Sequence, residues 1–310
     1  MSTQKNFFSY LTFLLAMVIP LSCAYSTDKN NLSDDLKVLH EKTFQISPGK
    51  KIELDASVGD VMITSWDKSE VYIKVLGNEK AEDKIEFEFN GTSDLVKVKA
   101  KKTGSLFNWF GSGVKLRFEI KVPASFNTKV STSGGDIKFA DVSGDQYLST
   151  SGGDIIVKNS HGKLDVSTSG GDISTENSKG LMMLSTSGGD VIANNFEGDV
   201  SAETSGGDIH LSGMNSKVKA ETSGGDIVLD YSGSNDGIDL STSGGDIMIK
   251  LPADFSAAAK LYTSGGDISC ELTTNNVGKK SSSKLEGDLN SGGNLLHAET
   301  SGGDIVVSKK

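Results

Sequence analysis

The sequence predicts an all-β protein, a β-solenoid (single-stranded β-helix) wound into coils of about 18 residues. Three observations support this prediction. The phrase TSGGD recurs through the second half of the chain, most often at intervals of 18 residues. Each interval divides into two nine-residue units with apolar residues at alternate positions. Glycine is abundant, at 36 of 310 residues, and no long helical pattern is present.

The nine-residue unit is most regular in residues 153–206, which read GDIIVKNSH, GKLDVSTSG, GDISTENSK, GLMMLSTSG, GDVIANNFE and GDVSAETSG. Apolar residues at positions 3 and 5 predict a short strand with one buried face, so we expect Ile155 and Val157 to point inward and Ile156 outward. The Gly-Gly pair predicts a tight turn, because glycine adopts positive φ without steric penalty. One coil buries too little apolar surface to offset the conformational entropy that it loses on folding, so the coils must stack.

Two other β architectures also contain many short strands. A propeller blade takes roughly 40 residues, far more than one interval of this repeat. A β-sandwich gives no physical reason for a repeating unit with a constant length of nine residues. The solenoid is therefore the preferred fold.

The first 23 residues have the pattern of an export signal. Lys5 precedes the apolar run FFSYLTFLLAMVIPL, and small residues follow. Cleavage before Cys23 would produce a bacterial lipoprotein with lipid on that cysteine, although Pro20 stands where leucine is usual. Cleavage after Ala24 would instead release a secreted protein. Residues 24–42 are interpreted as a polar tether.

The rest of the chain divides into two regions. Residues 43–125 are expected to form longer, irregular coils, since ASVGDVMITSW contains the same glycine-aspartate turn. Residues 126–310 are expected to form the regular TSGGD coils, with a polar excursion at 273–290. Lys309 and Lys310 are expected to protect an exposed edge strand. Cys270 is predicted to be a small core residue, without a disulfide partner if Cys23 is lipidated or removed.

Three stretches carry a resemblance to a known family. They read VGDVMITSWDKSEVYIKV, FEIKVPASFNTKVSTSGGDI and LEGDLNSGGNLLHAETSGGDIVV. Over residues 43–310 the chain resembles the putative-adhesin family of bacterial β-strand repeat proteins, a domain of unknown function. The resemblance implies a β-repeat fold and, through the family name, attachment to surfaces. It supplies no binding or catalytic residues.

Nine aspartates share one position in the TSGGD phrase, and stacked coils would place them in one column. They are Asp136, Asp154, Asp172, Asp190, Asp208, Asp226, Asp246, Asp267 and Asp304. Unit charges about 4.8 Å apart repel by roughly 0.9 kcal/mol even in water, so the carboxylates need partners. The first interpretation is that each aspartate caps its own turn. The second is a calcium column, although the alternate units often lack the acid, as at Lys163 and Leu181.

A threonine precedes the serine of each phrase, from Thr132 to Thr300. By alternation these side chains should point inward or into the corner, which predicts a structural ladder of hydroxyl groups. The alternative is an exposed threonine array that orders water or lines a sugar.

The segment GSLFNWFGSG, residues 104–113, differs from the rest of the sequence because it combines Phe107, Trp109 and Phe110 between glycines. One interpretation is an apolar cap on the side or end of the stack. The other is a contact patch for a glycan, a protein or a membrane surface.

The composition restricts the function. A net charge of -10 without a compact basic patch argues against nucleic acid as a partner. Catalytic residues are poorly supported: Arg117 is the sole arginine, and the four histidines fall in the tether, a turn and outward strand positions. No cofactor is expected, with calcium left open.

We therefore expect a noncatalytic exported protein of the bacterial cell envelope or surface, periplasmic or associated with the outer membrane. It would act as an adhesin or binding scaffold that presents long flat β faces to surface glycans or envelope proteins. It would contact the membrane only through a lipid on Cys23. The alternative is a carbohydrate-active β-helix enzyme or a calcium-loaded structural rod.

Overall fold

The computed structural model describes residues 36–103 and 113–310, which are built almost entirely of β-strands. The predicted all-β class is confirmed. The N-terminal elements are β1 (Lys37–Gln45), β2 (Lys51–Ala56), β3 (Asp60–Trp66), β4 (Glu70–Gly77), α1 (Glu79–Lys84), β5 (Ile85–Gly91), β6 (Leu95–Lys102) and β7 (Leu116–Pro123). No helix in the described residues is long and apolar enough to cross a membrane.

The strands of the TSGGD region follow in short succession. The central ones are β8 (Asn127–Thr132), β9 (Ile137–Ala140), β10 (Ser143–Thr150), β11 (Ile155–Lys158), β12 (His161–Ser167), β13 (Ile173–Glu176), β14 (Lys179–Ser185), β15 (Val191–Glu197), β16 (Val200–Glu203), β17 (Ile209–Glu221) and β18 (Ile227–Thr242). The last ones are β19 (Ile247–Leu251), β20 (Ala257–Thr263), β21 (Ile268–Cys270), β22 (Thr274–Lys280), β23 (Lys284–Leu289), β24 (Leu295–Thr300) and β25 (Ile305–Lys309).

Alternating burial explains why these short segments are strands. In β11, Ile155 and Val157 are fully buried, Ile156 is half-buried and Lys158 is exposed. Successive side chains of a strand point to opposite faces, so each strand supplies one apolar row to the interior. The predicted inward and outward positions of this strand are confirmed.

The strands form two parallel ladders. The front ladder runs through β8, β10, β12, β14, β16, the C-terminal halves of β17 and β18, and then β24 and β20. The back ladder runs through β9, β11, β13, β15, the N-terminal halves of β17 and β18, and then β19, β25 and β21. Leu148 pairs with Val130 and Val166, each 18 residues away. We call the outward surfaces of the two ladders the front face and the back face.

The second glycine of each TSGGD turn is required by close contact between layers. A Cβ on Gly189 would lie 2.1 Å from the carbonyl oxygen of Gly171, and a Cβ on Gly207 would lie equally close to Gly189. None of these three glycines has φ in the left-handed region. The positive φ expected from the sequence is therefore not the reason for glycine here, although Gly135 does have φ of +118°.

The N-terminal end contains antiparallel pairs as well as parallel ones. β2 and β3 add a parallel layer to β8 and β9, and β6 and β7 add another beyond it. β5 pairs antiparallel with β6, β4 with β7, and β1 with β4. Residues 43–125 thus contain two parallel layers together with antiparallel pairs. Residues 37–42, which were expected to belong to the tether, are part of β1. Short connections such as residues 92–94 favour hairpins, since a parallel crossover needs a much longer segment.

At the C-terminal end the spatial order of the layers departs from the chain order. β24 lies between β18 and β20, and β25 lies between β19 and β21. The excursion at 273–290 forms β22 and β23, which pair antiparallel with each other, and β23 also pairs with β20. The expectation that Lys309 and Lys310 protect an edge strand is wrong, because β25 has a partner on each side.

Candidate interaction surface

The aspartates of the TSGGD turns form a hydrogen-bonded column. The amide of Asp208 donates to Oδ1 of Asp190 over 2.8 Å, and the amide of Asp190 donates to Oδ1 of Asp172 over 2.8 Å. The same bond joins Asp304 to Asp246. Eight of the nine carboxylates, all except that of Asp267, therefore cap the turn of the neighbouring layer, which corrects the expectation that each caps its own turn.

The column does not gather a set of metal ligands. In residues 36–103 and 113–310, no group of three or more His, Cys, Asp or Glu side chains is placed to hold a metal ion. The carboxylates instead accept charge-assisted hydrogen bonds from main-chain amides, which offset part of their mutual repulsion.

The threonines form a second column that is internal. The Thr204 hydroxyl donates to the carbonyl oxygen of Gly189 over 2.8 Å and accepts from the amide of Gly207 over 3.3 Å. Its neighbours Thr186 and Thr222 make the same donated bond. These buried hydroxyls are engaged by the main chain, so the structural ladder is confirmed and the hydroxyls are not available as an exposed array.

An asparagine ladder at the opposite turn was missed in the sequence. Asn159, Asn177 and Asn195 each have φ between 53° and 54°, which an asparagine tolerates better than most residues. Asn177 Nδ2 donates to Asn159 Oδ1 over 3.1 Å, and Asn195 Nδ2 donates to Asn177 Oδ1 over 2.6 Å. The 18-residue spacing of these asparagines is the signal that would have found it.

The front face has one outward column whose side chains vary, whereas another outward column repeats serine over four layers, from Ser131 to Ser185. One inward column is apolar throughout, whereas the adjacent outward column changes chemistry at almost every layer. The inward column contains Val130, Leu148, Val166, Leu184, Ala202, Ala220, Leu240, Ala298 and Leu261, and the outward one contains Lys129, Tyr147, Asp165, Met183, Ser201, Lys219, Asp239, His297 and Lys260.

Near its C-terminal end the outward column joins a group of interacting side chains that we call the His297 cluster. It comprises Asp239 and His297 of this column with Tyr262, Lys284 and Glu286. Nδ1 of His297 lies 2.7 Å from Oδ1 of Asp239, a contact that fits an N–H donated to the carboxylate. Nε2 lies 3.8 Å from Oε2 of Glu299, beyond hydrogen-bond distance. The Tyr262 ring packs edge-on against the His297 ring, with centroids 6.1 Å apart.

The tyrosine half of the cluster has perturbed acidity. The Tyr262 hydroxyl donates to Glu286, and Lys284 lies 3.1 Å from the same carboxylate and 4.5 Å from the ring centroid of Tyr262. The hydrogen bond to Glu286 raises the pKa of Tyr262. Hydrogen bonds from Tyr262 and then Lys284 lower the pKa of Glu286. The cluster thus presents charged and aromatic groups in fixed positions.

The outward column of the back face contains a short apolar patch. Val228 pairs with Met248, and Met248 pairs with Val306, so three apolar side chains lie in adjacent layers. Met248 is 37% exposed. His210 separates this group from Ile192. The two faces therefore differ in chemistry.

Two of the predicted sites lie outside the described residues. Cys23 belongs to residues 1–35, and the aromatic patch of Phe107, Trp109 and Phe110 belongs to residues 104–112. Cys270 is half-buried against the core and forms no disulfide, and burial raises the pKa of its thiol.

The remaining histidines are dispersed. His161 and His210 are exposed. His40 lies in β1 rather than in a tether, where its ring packs against Phe87 and Phe89 with centroid distances of 4.7 and 5.3 Å. Only His297 among the described histidines has a carboxylate within hydrogen-bond distance.

Fold and surface together define an all-β repeat protein with an apolar interior and one variable column on its front face. The chain belongs to the Toastrack DUF4097 family, whose model matches residues 49–308. The resemblance noted in the sequence is thereby confirmed at the level of a family of unknown function. No sequence among curated proteins matches the chain.

Solved structures give more distant likenesses. A putative adhesin from Parabacteroides merdae is 12% identical, covers 90% of this chain and 97% of its own, and has a TM-score of 0.43. A putative adhesin from Bacteroides fragilis is 17% identical, covers 71% of this chain and 98% of its own, and has a TM-score of 0.42. A putative lipid binding protein from Parabacteroides distasonis is 13% identical, covers 89% of this chain and 97% of its own, and has a TM-score of 0.40.

Proposed function

We propose that this protein is a noncatalytic β-solenoid of the cell envelope or surface, whose coils of about 18 residues hold two flat faces for binding. The observation that supports this function is the contrast between the two columns of the front ladder. Inward positions such as Leu148 and Val166 stay apolar, while the outward positions Tyr147 and Asp165 differ from layer to layer. Folding requires the interior to repeat, but it leaves the exterior free to match a partner.

The faces are suited to binding because they are rigid. Parallel hydrogen-bonded ladders fix the spacing of outward side chains at about 4.8 Å between layers. A surface that is already ordered loses little conformational entropy when it binds. We infer that the partners are surface glycans or envelope proteins, as expected from the sequence.

We place the principal contact at the His297 cluster. Tyrosine and charged groups with fixed geometry are common at the centres of protein interfaces. Tyr262 offers a ring edge and a hydroxyl, while Nε2 of His297 is not engaged by Asp239. Both side chains face outward on a flat sheet.

The test is binding of the purified protein to an array of glycans and matrix proteins, with and without calcium. We expect saturable binding that Tyr262→Ala weakens. Tyr147→Ala is the matched control, because Tyr147 lies on the same face with Lys163 over its ring at 4.8 Å but has no histidine beside it. Equal losses from the two substitutions would exclude the cluster as the contact, and a blank array would contradict the binding function.

Two alternatives make different predictions, one for the same array and one for a thermal unfolding measurement. A carbohydrate-active enzyme would release soluble products from an arrayed glycan, and Asp239 with His297 would be its first candidate base. A calcium-loaded rod would show a higher melting temperature in millimolar calcium than in chelator. Neither outcome is expected from a noncatalytic scaffold whose aspartates bind main-chain amides.

Export and lipidation are proposed from the sequence of residues 1–23. Mass spectrometry of the mature N-terminus tests both: a lipidated Cys23 supports the envelope lipoprotein, and a free Tyr25 supports the secreted form. An intact Met1 on the protein isolated from its native cell would overturn export.

The aromatic segment is a second proposed contact. Trp109→Ala is expected to weaken attachment to surfaces without lowering stability. Loss of stability with unchanged attachment would instead identify the segment as an apolar cap.

A further inference from the structure

One layer of the stack is filled by a segment that arrives out of chain order. We call residues 295–309 the inserted coil; it comprises β24 and β25. The layer formed by residues 238–251 precedes it in the stack, and the layer formed by residues 257–270 follows it, although both come earlier in the chain. Without the inserted coil, these two layers would face a gap one coil wide.

The inserted coil makes the standard turn contacts with the layer before it. The Thr300 hydroxyl donates to the carbonyl oxygen of Gly245 over 2.8 Å. The amide of Asp304 donates to Oδ1 of Asp246 over 2.8 Å. These bonds are the same as those between successive TSGGD turns elsewhere in the stack.

The contacts on the other side are equally regular. The Thr263 hydroxyl donates to the carbonyl oxygen of Gly303 over 2.7 Å, and the amide of Asp267 donates to Oδ1 of Asp304 over 2.8 Å. The gap is therefore complementary to a TSGGD coil on both of its surfaces. This complementarity depends on the sequence of the coil and not on which copy of the chain supplies it.

Residues 290–294, which read NSGGN, join the inserted coil to the preceding hairpin. Three residues of this connection have φ in the left-handed region: Asn290 at 50°, Gly292 at 76° and Gly293 at 136°. Two glycines make the connection adaptable, because glycine adopts many backbone conformations at low cost.

We propose that the inserted coil exchanges between two copies of this protein, each copy placing residues 295–309 in the gap of the other. The exchanged dimer contains the same hydrogen bonds and buried side chains as the monomer, so the two forms differ mainly in the connection and in association entropy. Exchange occurs when two copies fold at high concentration. It would link two binding scaffolds and so raise their avidity for a repeated ligand.

A disulfide reporter distinguishes the two forms. Cys270 pairs in register with Val307 of the inserted coil, and neighbouring strands lie at a separation that a disulfide can span. Val307→Cys, made in a Cys23→Ser background, should therefore link to Cys270 within one chain in the monomer and between chains in the exchanged dimer. The Cys23→Ser protein without Val307→Cys gives the background of nonspecific dimers.

The protein is refolded over a series of concentrations, oxidised and separated on nonreducing gels. We expect the fraction of disulfide-linked dimer to rise in proportion to protein concentration, above the background variant. A product that is cross-linked within one chain at every concentration would overturn the proposal. Dimers by light scattering that carry only intrachain disulfides would overturn it as well.

The connection provides an independent test that needs no cysteine. Deletion of Gly292 and Gly293 shortens the path back to the chain's own gap, so we expect a dimer by size-exclusion chromatography. Insertion of a Gly-Ser segment at the same place is the matched control and should favour the monomer. A shortened variant that stays folded and monomeric would contradict exchange.

Discussion

The main-chain amide of Asp208 donates a 2.8 Å hydrogen bond to Oδ1 of Asp190, the equivalent residue of the neighbouring layer. The same bond aligns an amide dipole with every negative charge of the column except that of Asp267 in the last layer. The row of like charges is thus tolerated because these carboxylates accept hydrogen bonds from the turn of the neighbouring layer. The acidic residue of the TSGGD phrase consequently has a structural role that is separate from binding.

The first prediction concerns this bond. Asp190→Ala leaves the Asp208 amide without its acceptor and is expected to destabilise the fold by about 1–3 kcal/mol. Asp190→Asn keeps an acceptor and removes one charge from the column, so it should destabilise the fold less than Asp190→Ala does. Urea unfolding measures both. Equal costs for the two variants would show that the carboxylate does not act through this hydrogen bond.

The second prediction compares two adjacent glycines. Gly189→Ala places a Cβ 2.1 Å from the carbonyl oxygen of Gly171 and should cost about 1–3 kcal/mol of stability. Gly188→Ala is the control, because the nearest atom to its Cβ is 3.6 Å away. The control should stay within about 0.5 kcal/mol of the unchanged protein. Thermal and urea unfolding test both, and a control as damaging as Gly189→Ala would contradict the close-contact explanation.

The third prediction tests the threonine ladder. Thr204→Val keeps the shape of the side chain but leaves the Gly189 carbonyl and the Gly207 amide without the hydroxyl that joins them. The expected loss is about 1–3 kcal/mol in the free energy of unfolding. Thr204→Ser retains the hydroxyl and is expected to lose less. The prediction fails if valine is tolerated as well as serine.

The fourth prediction concerns pH. Burial against Phe87 and Phe89 lowers the pKa of His40, and the charge of Lys42 lowers it further. The unfolded chain keeps a histidine pKa of about 6.5, so below that pH it binds more protons than the folded protein. Stability should therefore fall as the pH decreases from about 6.5 towards the lower folded pKa.

His40→Gln should reduce this acid-side loss of stability, measured as the urea midpoint between neutral and mildly acidic pH. His210→Gln, which removes an exposed histidine on the back face, is the control for loss of a histidine as such. An unchanged pH dependence in His40→Gln would exclude His40 as its source.

The candidate contact site shows where the sequence was least informative. Asp239 and His297 lie 58 residues apart in the chain yet occupy adjacent strands. A regular 18-residue spacing would not place these two layers together. Their contact depends on the insertion of residues 295–309 between earlier layers, which no local pattern in the sequence indicates.

The sequence by itself determined the all-β class, the strands and the spacing of their partners in the regular region. Strand alternation and turn chemistry are local properties, so they can be read from short segments such as GDIIVKNSH. The tertiary structure alone decided the order of the end layers, the antiparallel N-terminal pairs and the reason for Gly189. These features depend on which backbone lies against which. At the C-terminal end in particular, one TSGGD phrase makes the same contacts as another, so the repeated phrase does not specify the order of the layers.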